Sequence, residues 1–291
     1  MNHAFMILAH KSFEQIEILI NNLKFGDIYI HVDKKNTGLY KELINKYGQK
    51  TNVYILRNRI NVNWSGFSIV EATLLLIEEV SISSKEYDFV HLISGQDMIL
   101  MTHDQLDVFL SSKGKNTILM ECNDIGKYRW RLKRYSLFRE NPNNRRFIYR
   151  VIDNILRYLQ FLIPERKNLV KLSLYKGSEW FSIPFECIKY INKEANNYIN
   201  DFKYTACSDE HFFQILIMNS KFKENVINNN ARYIIFEKNN SSPNTLTLKD
   251  YNNFMNGEYI FARKFDMAKD KDVLELIQKK LSNGIKHLKR S

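Results

Sequence analysis

Residues 3–33 read HAFMILAHKSFEQIEILINNLKFGDIYIHVD, and the change of period along this stretch decides the fold class. Phe5 to Ala9 is a short, continuous apolar run, the pattern of a strand buried on both faces. From Phe13 to Leu23 the period becomes helical, with Phe13, Ile16, Leu19, Ile20 and Leu23 on one face and Ser12 in position to cap it. A second apolar run from Ile28 ends in an acid, Asp33. Strand, helix, strand predicts a parallel, doubly wound α/β sheet, whose ligands bind beyond the carboxyl ends of the strands. Asp33 sits at such an end.

The same alternation continues outward. Val53 to Leu56 reads as a third strand, Gly38 to Tyr47 and Ser68 to Val80 as helices, and Phe89 to Ile93 as a core strand. That strand runs into Ser94-Gly95-Gln96-Asp97, a polar turn at its carboxyl end. Together with Trp64-Ser65-Gly66 this turn could line a nucleotide pocket, or Asp97 could simply cap the turn. Further on, Gly177 to Ile183 reads as a turn feeding a strand, Phe185 to Tyr198 as a helix, Tyr233 to Phe236 as a strand, Asn239 to Thr247 as a polar loop, and Val273 to Leu288 as an amphipathic helix.

One polar cluster has a specific chemical reading. In Thr205-Ala206-Cys207-Ser208-Asp209-Glu210-His211-Phe212-Phe213, Ser208 is a good N-cap, Asp209 and Glu210 occupy the first turn, and Phe212, Phe213, Leu216 and Ile217 follow at helical spacing. A helix N-terminus favours an ionised carboxylate, so Glu210 could accept a proton; equally, it could be one of the many acids that decorate first turns. Asp209, about 100° further round a helix, would point elsewhere.

Of the 291 residues 44 % are hydrophobic and 26 % charged, which suits a soluble globular protein with a large core. Cys122, Cys187 and Cys207 show no CxxC spacing, so neither a disulfide framework nor a zinc site is expected, and a reducing cytoplasm fits best. No apolar run is long enough to span a bilayer, and the N-terminus lacks the features of a signal peptide. The Asn, Ile and Lys richness is the bias expected of an AT-rich bacterial genome. The glycine-rich phosphate loops of dinucleotide enzymes and P-loop proteins are absent, as is HExxH, and the seven histidines show no ligand spacing.

The net charge of +11 is concentrated. Between Asp124 and Lys176 fourteen Lys/Arg face four acids, and the run from Lys127 to Tyr135 interleaves cations with aromatics. Phe147 to Ile163 follows, with Ile148, Val151, Ile152, Ile155, Leu156, Leu159 and Leu162 in a helical stripe beside Arg146, Arg150 and Arg157; a linker containing Pro164 ends it. Such a helix packs on the domain, lies on an anionic membrane surface, or binds nucleic acid.

GSEWFS at 177–182, SDEHFF at 208–213 and FARKFD at 261–266, in this order and spacing, resemble the core-2/I-branching family of β-1,6-N-acetylglucosaminyltransferases, which also includes the peptide xylosyltransferases. HAFMILAH, IYIHVDKK, NWSGFSIVEA and YDFVHLISGQDMIL extend the resemblance from about His3 to Asp266, the basic insert being least similar. The resemblance implies an A-type glycosyltransferase fold in a single domain: a nucleotide-sugar-binding half (1–123), the basic helical insert (124–176) and an acceptor and catalytic half (177–291). It implies an inverting enzyme with a UDP-sugar donor, N-acetylglucosamine being the expected sugar, and no metal. Glu210 matches the family's catalytic base, Lys264 a diphosphate-binding lysine and Asp33 a uridine-contacting acid. A second diphosphate cation of the animal enzymes falls near Asn244, where this chain has none; Arg263 or Arg232 is the substitute.

The remaining expectations concern surfaces. Trp64, Gly95 and Asp97 join the nucleotide-sugar set, while Glu179, Trp180, Arg129 and Trp130 are candidates for holding the acceptor. The expected acceptor is a glycan, or a lipid-linked one at the inner face of the cell membrane, with the insert touching anionic lipid; nucleic acid is not expected. A UDP-xylose-type, retaining or metal-dependent transferase is the nearer alternative, and a basic nucleic-acid-binding protein without enzymatic activity is the reading from a different class.

Overall fold

The computed structural model describes residues 1–144, 146–163, 166, 169, 171–237 and 242–288, the side chains of residue 150 and of 284–288 excepted. The expected linker at Pro164 and the start of the loop at Asn239 lie outside these residues. Among the described residues twelve strands follow in chain order: β1 His3–Ala9, β2 Asp27–Val32, β3 Val53–Ile55, β4 Phe89–Ser94, β5 Asp97–Ile99, β6 Ile118–Met120, β7 Asn123–Asp124, β8 Tyr175–Lys176, β9 Phe181–Pro184, β10 Val226–Ile227, β11 Arg232–Ile234 and β12 Phe261–Arg263.

The central sheet has the order β10-β6-β9-β4-β1-β2-β3. Its neighbours are parallel except at β9, which runs antiparallel to both β4 and β6. The alternation along β1 sends Ala4 and Met6 into one core and Phe5, Ile7 and Ala9 into another, so both faces of the sheet are covered. Helices Phe13–Leu23 and Asp272–Leu288 cover one face; Ser68–Ser81 and Phe185–Glu194 cover the other. Each fully buried Phe, Ile or Leu in these layers contributes roughly 1.5–3 kcal/mol through removal from water. The mostly parallel sheet flanked by helices is the architecture expected above.

Several local readings are corrected. Ser12 is left-handed (φ 57°) and makes no capping bond to its helix. The helix beginning at Phe185 stops at Glu194 and resumes only as a short turn at Ile199–Phe202. Asp97 closes the turn as its cap, accepting from Ser94 N and Oγ, and also opens a strand of its own. Strands β6 and β10, three and two residues long, leave too little pattern to read, and the helix His103–Lys113 buries only Leu106 and Leu110, so its apolar stripe is faint.

A second sheet, β11-β12-β5, lies beside the first, and its register sets Arg263 directly across from Asp97. A two-stranded ladder pairs Asn123 with Lys176 and Asp124 with Tyr175, so both ends of the basic insert are pinned at one point. Within the insert, Glu140 Oε1 accepts from the Ser68 backbone N–H at 2.8 Å, an acid at a helix N-terminus, and Arg139 donates to Ser65 Oγ. These bonds bind the insert to the loop that precedes helix Ser68–Ser81.

Gly177 follows the ladder at the tightest point of the fold. A Cβ there would meet the Glu121 carbonyl oxygen at 1.7 Å, while its N–H donates to the Glu210 carbonyl at 2.9 Å. We therefore expect Gly177→Ala to destabilise by about 3 kcal/mol or more, among the largest single-site effects, as measured by denaturant unfolding. Gly38→Ala, where a Cβ has room, is the control.

Candidate active site

The carboxyl ends of β1 and β4 and the second sheet enclose a cleft of about 700 Å³. Glu210 reaches it from an unexpected local structure. Ser208–Glu210 forms a separate 3₁₀ turn, and the α-helix begins only at Phe212. Ser208 caps nothing: its hydroxyl faces the Gly66 carbonyl at 3.4 Å. The turn is instead clamped by its neighbours, Cys207 N–H donating to Ser65 O and Gly177 N–H to Glu210 O.

What keeps Glu210 ionised is therefore not a helix dipole but two cations. Arg131 Nη1 lies 2.7 Å and Lys176 Nζ 3.1 Å from the same carboxylate oxygen, Oε2. Burial alone would raise the Glu210 pKa; the two cations outweigh it and hold the group below its usual range. Neither partner was singled out from sequence as a site residue. Arg131 lay among the alternating cations of the insert, and only the contact itself distinguishes it from Arg129.

Asp209 lines the same cleft instead of pointing away. Burial, then the Glu210 charge, pushes its carboxyl up to about 7, and among the described residues its Oδ1 has no hydrogen-bond partner. Glu179 is raised by the same causes, burial first and Asp209 next.

Arg263 lines the same cleft. Its guanidinium stacks on the Trp180 ring at 4.1 Å, lies 3.4 Å from Asp97 Oδ1 through Nε, and 3.9 Å from Glu179 Oε1 through Nη1. Neither Nε nor Nη1 completes a hydrogen bond among the described residues. Phe261 and Phe265 are both fully buried and fix this segment. Lys264 follows, its pKa lowered by burial and by Lys11 and Arg263, without an ion pair among the described residues. Arg263 and Lys264 thus present N–H donors and positive charge to an anion.

The other expected residues divide. Trp64, Glu179, Trp180 and Arg232 line the cleft. Arg232, however, does not replace the missing cation: its guanidinium donates to the carbonyls of Leu92, Phe181 and Asn230 and is consumed by the backbone. Asp97 is fully buried and bonded to Ser94 N and Oγ, so it orients Arg263 rather than facing a ligand. Gly95 lies against Ile16, and Asp33 accepts from the Lys35 and Val62 N–H groups at the end of β2; neither lines the cleft. Arg129 and Trp130 line a different, shallower hollow with Arg157, because only Arg131 of their short helix turns toward Glu210.

Among the described residues, one group of three metal-competent side chains, His3, His103 and Asp107, has donor atoms within 4.8 Å of one another. It lies at the amino end of β1, away from the cleft.

A family model described as Core-2/I-Branching enzyme matches residues 3–256. The chain belongs to that family. Among curated relatives it is 22 % identical to xylosyltransferase 2 of Canis lupus familiaris over 94 % of this chain and 33 % of the relative. It is likewise 22 % identical to xylosyltransferase 1 of Homo sapiens over 93 % and 29 %. The chain thus spans about a third of the length of these relatives. Distant likenesses among solved structures include S. aureus TarS 1–349 (14 % identity, TM-score 0.39, 76 % of this chain and 56 % of that one). Another is galactosyltransferase LgtC in complex with donor and acceptor sugar analogues (9 % identity, TM-score 0.40, 90 % and 86 %).

The crowded carboxyls of this family member give a stability test. Asp209 binds its proton more tightly folded (about 7) than unfolded (3.8), so its cost to stability is small near pH 4, grows as pH rises, and is complete above 7. Asp209→Asn should raise the melting temperature at about pH 8, by on the order of 1–2 kcal/mol of stability, and hardly change it near pH 4. An equal effect at both pH values in thermal denaturation would contradict the buried, protonated carboxyl.

Proposed function

We propose that the chain is an inverting glycosyltransferase that moves a sugar from a UDP-sugar to a hydroxyl of a glycan or lipid-carried acceptor. Glu210 is the general base, and Arg263 and Lys264, rather than a divalent ion, hold the diphosphate. The observation that carries this reading is that one cleft is lined both by the Glu210 carboxylate and by the Arg263–Lys264 pair. We take the donor sugar to be N-acetylglucosamine, with xylose beside it because the curated relatives are named xylosyltransferases. A cytoplasmic site of action at the inner face of a bacterial membrane goes with a lipid-carried acceptor. Among the described residues no helix is long and apolar enough to cross a membrane.

In the proposed reaction the acceptor oxygen bonds to the anomeric carbon as the bond from that carbon to the diphosphate oxygen breaks on the opposite face. The hydroxyl proton passes to Glu210, and the electron pair of the broken bond leaves with UDP. Negative charge builds on the leaving phosphate, where fixed cations stabilise it most. Arg131 and Lys176 ensure that Glu210 is charged before the acceptor arrives, at the cost of some basicity. One base suffices for inversion, whereas a retaining hydrolase uses two carboxylates about 5 Å apart in defined roles.

Glu210→Gln should keep its circular-dichroism spectrum and lose about 10²–10⁴ in the rate of sugar transfer, assayed with UDP-N-acetylglucosamine and UDP-xylose. Transfer should survive EDTA; loss on chelation, restored by a divalent ion, overturns the metal-free reading. Because both cations depress the Glu210 pKa, Arg131→Ala or Lys176→Met should raise it and move the acid limb of kcat/KM to higher pH.

A further inference from the structure

Helix Phe147–Leu159 is mounted the wrong way round for a helix that serves the core. Its polar side faces the protein: Arg157 stacks on Trp130 at 4.3 Å and Asp153 pairs with Arg139 at 3.0 Å. Its apolar stripe faces outward instead, with Ile148 61 %, Ile155 53 % and Leu159 59 % exposed. The following turn extends it with Phe161 and Leu162, 83 % and 90 % exposed. A contiguous apolar surface of this kind is uncommon unless something covers it.

Charge identifies the cover. Arg129, Lys133, Arg134 and Arg157 share with Tyr158 and Phe161 one hollow of about 360 Å³ at the edge of the stripe. Arg134 donates to the carbonyls of Gln160 and Ile163, which holds the exposed turn against this basic rim. The insert as a whole carries most of the chain's net charge of +11. Apolar side chains directed outward and cations alongside them match a surface that is greasy within and anionic at its edge.

We infer that this face docks the protein on an anionic lipid bilayer, with Ile148, Ile155, Leu159, Phe161 and Leu162 entering the acyl boundary and the hollow of Arg129 and Arg134 taking lipid phosphates. The inference gives residues to the peripheral placement proposed above but is independent of the transfer reaction, because it is read without donor or acceptor. Among the described residues of the insert, Arg131 and Lys176 reach Glu210, and none of the docking side chains lines the cleft, so docking leaves it open.

The test is vesicle flotation of the full chain with phosphatidylcholine alone and with about 30 % phosphatidylglycerol. The wild type should float with the anionic vesicles at least about tenfold more than with the neutral ones. Ile155→Ser/Leu159→Ser/Phe161→Ser should abolish flotation with the melting temperature unchanged, and Arg129→Gln/Arg134→Gln should remove the preference for anionic lipid. A wild type that stays with the soluble fraction, or a triple variant that floats as well as the wild type, overturns the inference. So does a dimer in light scattering that the triple variant converts to monomer without any vesicle binding, which assigns the face to a second copy. Duplex DNA bound at low salt in place of vesicles assigns it to nucleic acid.

Discussion

A carboxylate withdrawn from water has to be met by a positive charge or take up a proton, and that constraint organises the cleft. Glu210 meets it with two cations drawn from distant parts of the chain, Arg131 from the insert and Lys176 from its closing strand. Asp97 meets it with Ser94 and the approach of Arg263. Asp209 does not, and Glu179 has only Arg263 at 3.9 Å, too little to offset its burial, so both are pushed toward the protonated form. Glu210 therefore keeps a fixed charge, while its neighbours are drawn toward the protonated form. In the proposed reaction, that asymmetry separates the proton acceptor from carboxyls suited to hydrogen-bonding hydroxyls.

The framework of this site was legible because strands buried on both faces leave an unambiguous apolar signature. HAFMILA and DFVHLIS announce their positions, and strand ends in a parallel sheet announce where ligands go. FARKFD was legible for a similar reason: two phenylalanines at that spacing are both buried, so the cations between them are held in place. Glu210 lines the cleft, but its charge is held for a different physical reason than the helix N-terminus suggests, since a 3₁₀ turn and two cations do that work.

Three kinds of information stayed hidden. Partners brought together only by the fold, such as Arg131 and Lys176, leave no local pattern when many cations are close in sequence. Consumption by the backbone is equally silent: Arg232 and Arg263 look alike on paper, yet among the described residues Arg232 gives both terminal nitrogens to carbonyls and keeps only Nε unbonded, whereas Arg263 keeps Nε and Nη1. Orientation is the third. The stripe from Ile148 to Leu162 is plain in the sequence, but whether it faces the core or the outside depends on Trp130, Phe138 and Arg139 packing against its polar flank.

The ladder of Asn123–Asp124 with Tyr175–Lys176 also bears on how such a chain diversifies. With both its ends stapled at one point, everything between them is a cassette. A lineage can lengthen it, shorten it or exchange its outer coat without re-siting the strand that carries Lys176, provided that one guanidinium is returned to the position of Arg131 and the bonds of Arg139 and Glu140 to Ser65 and Ser68 are kept. Adhesion and chemistry can then drift at separate rates on one scaffold.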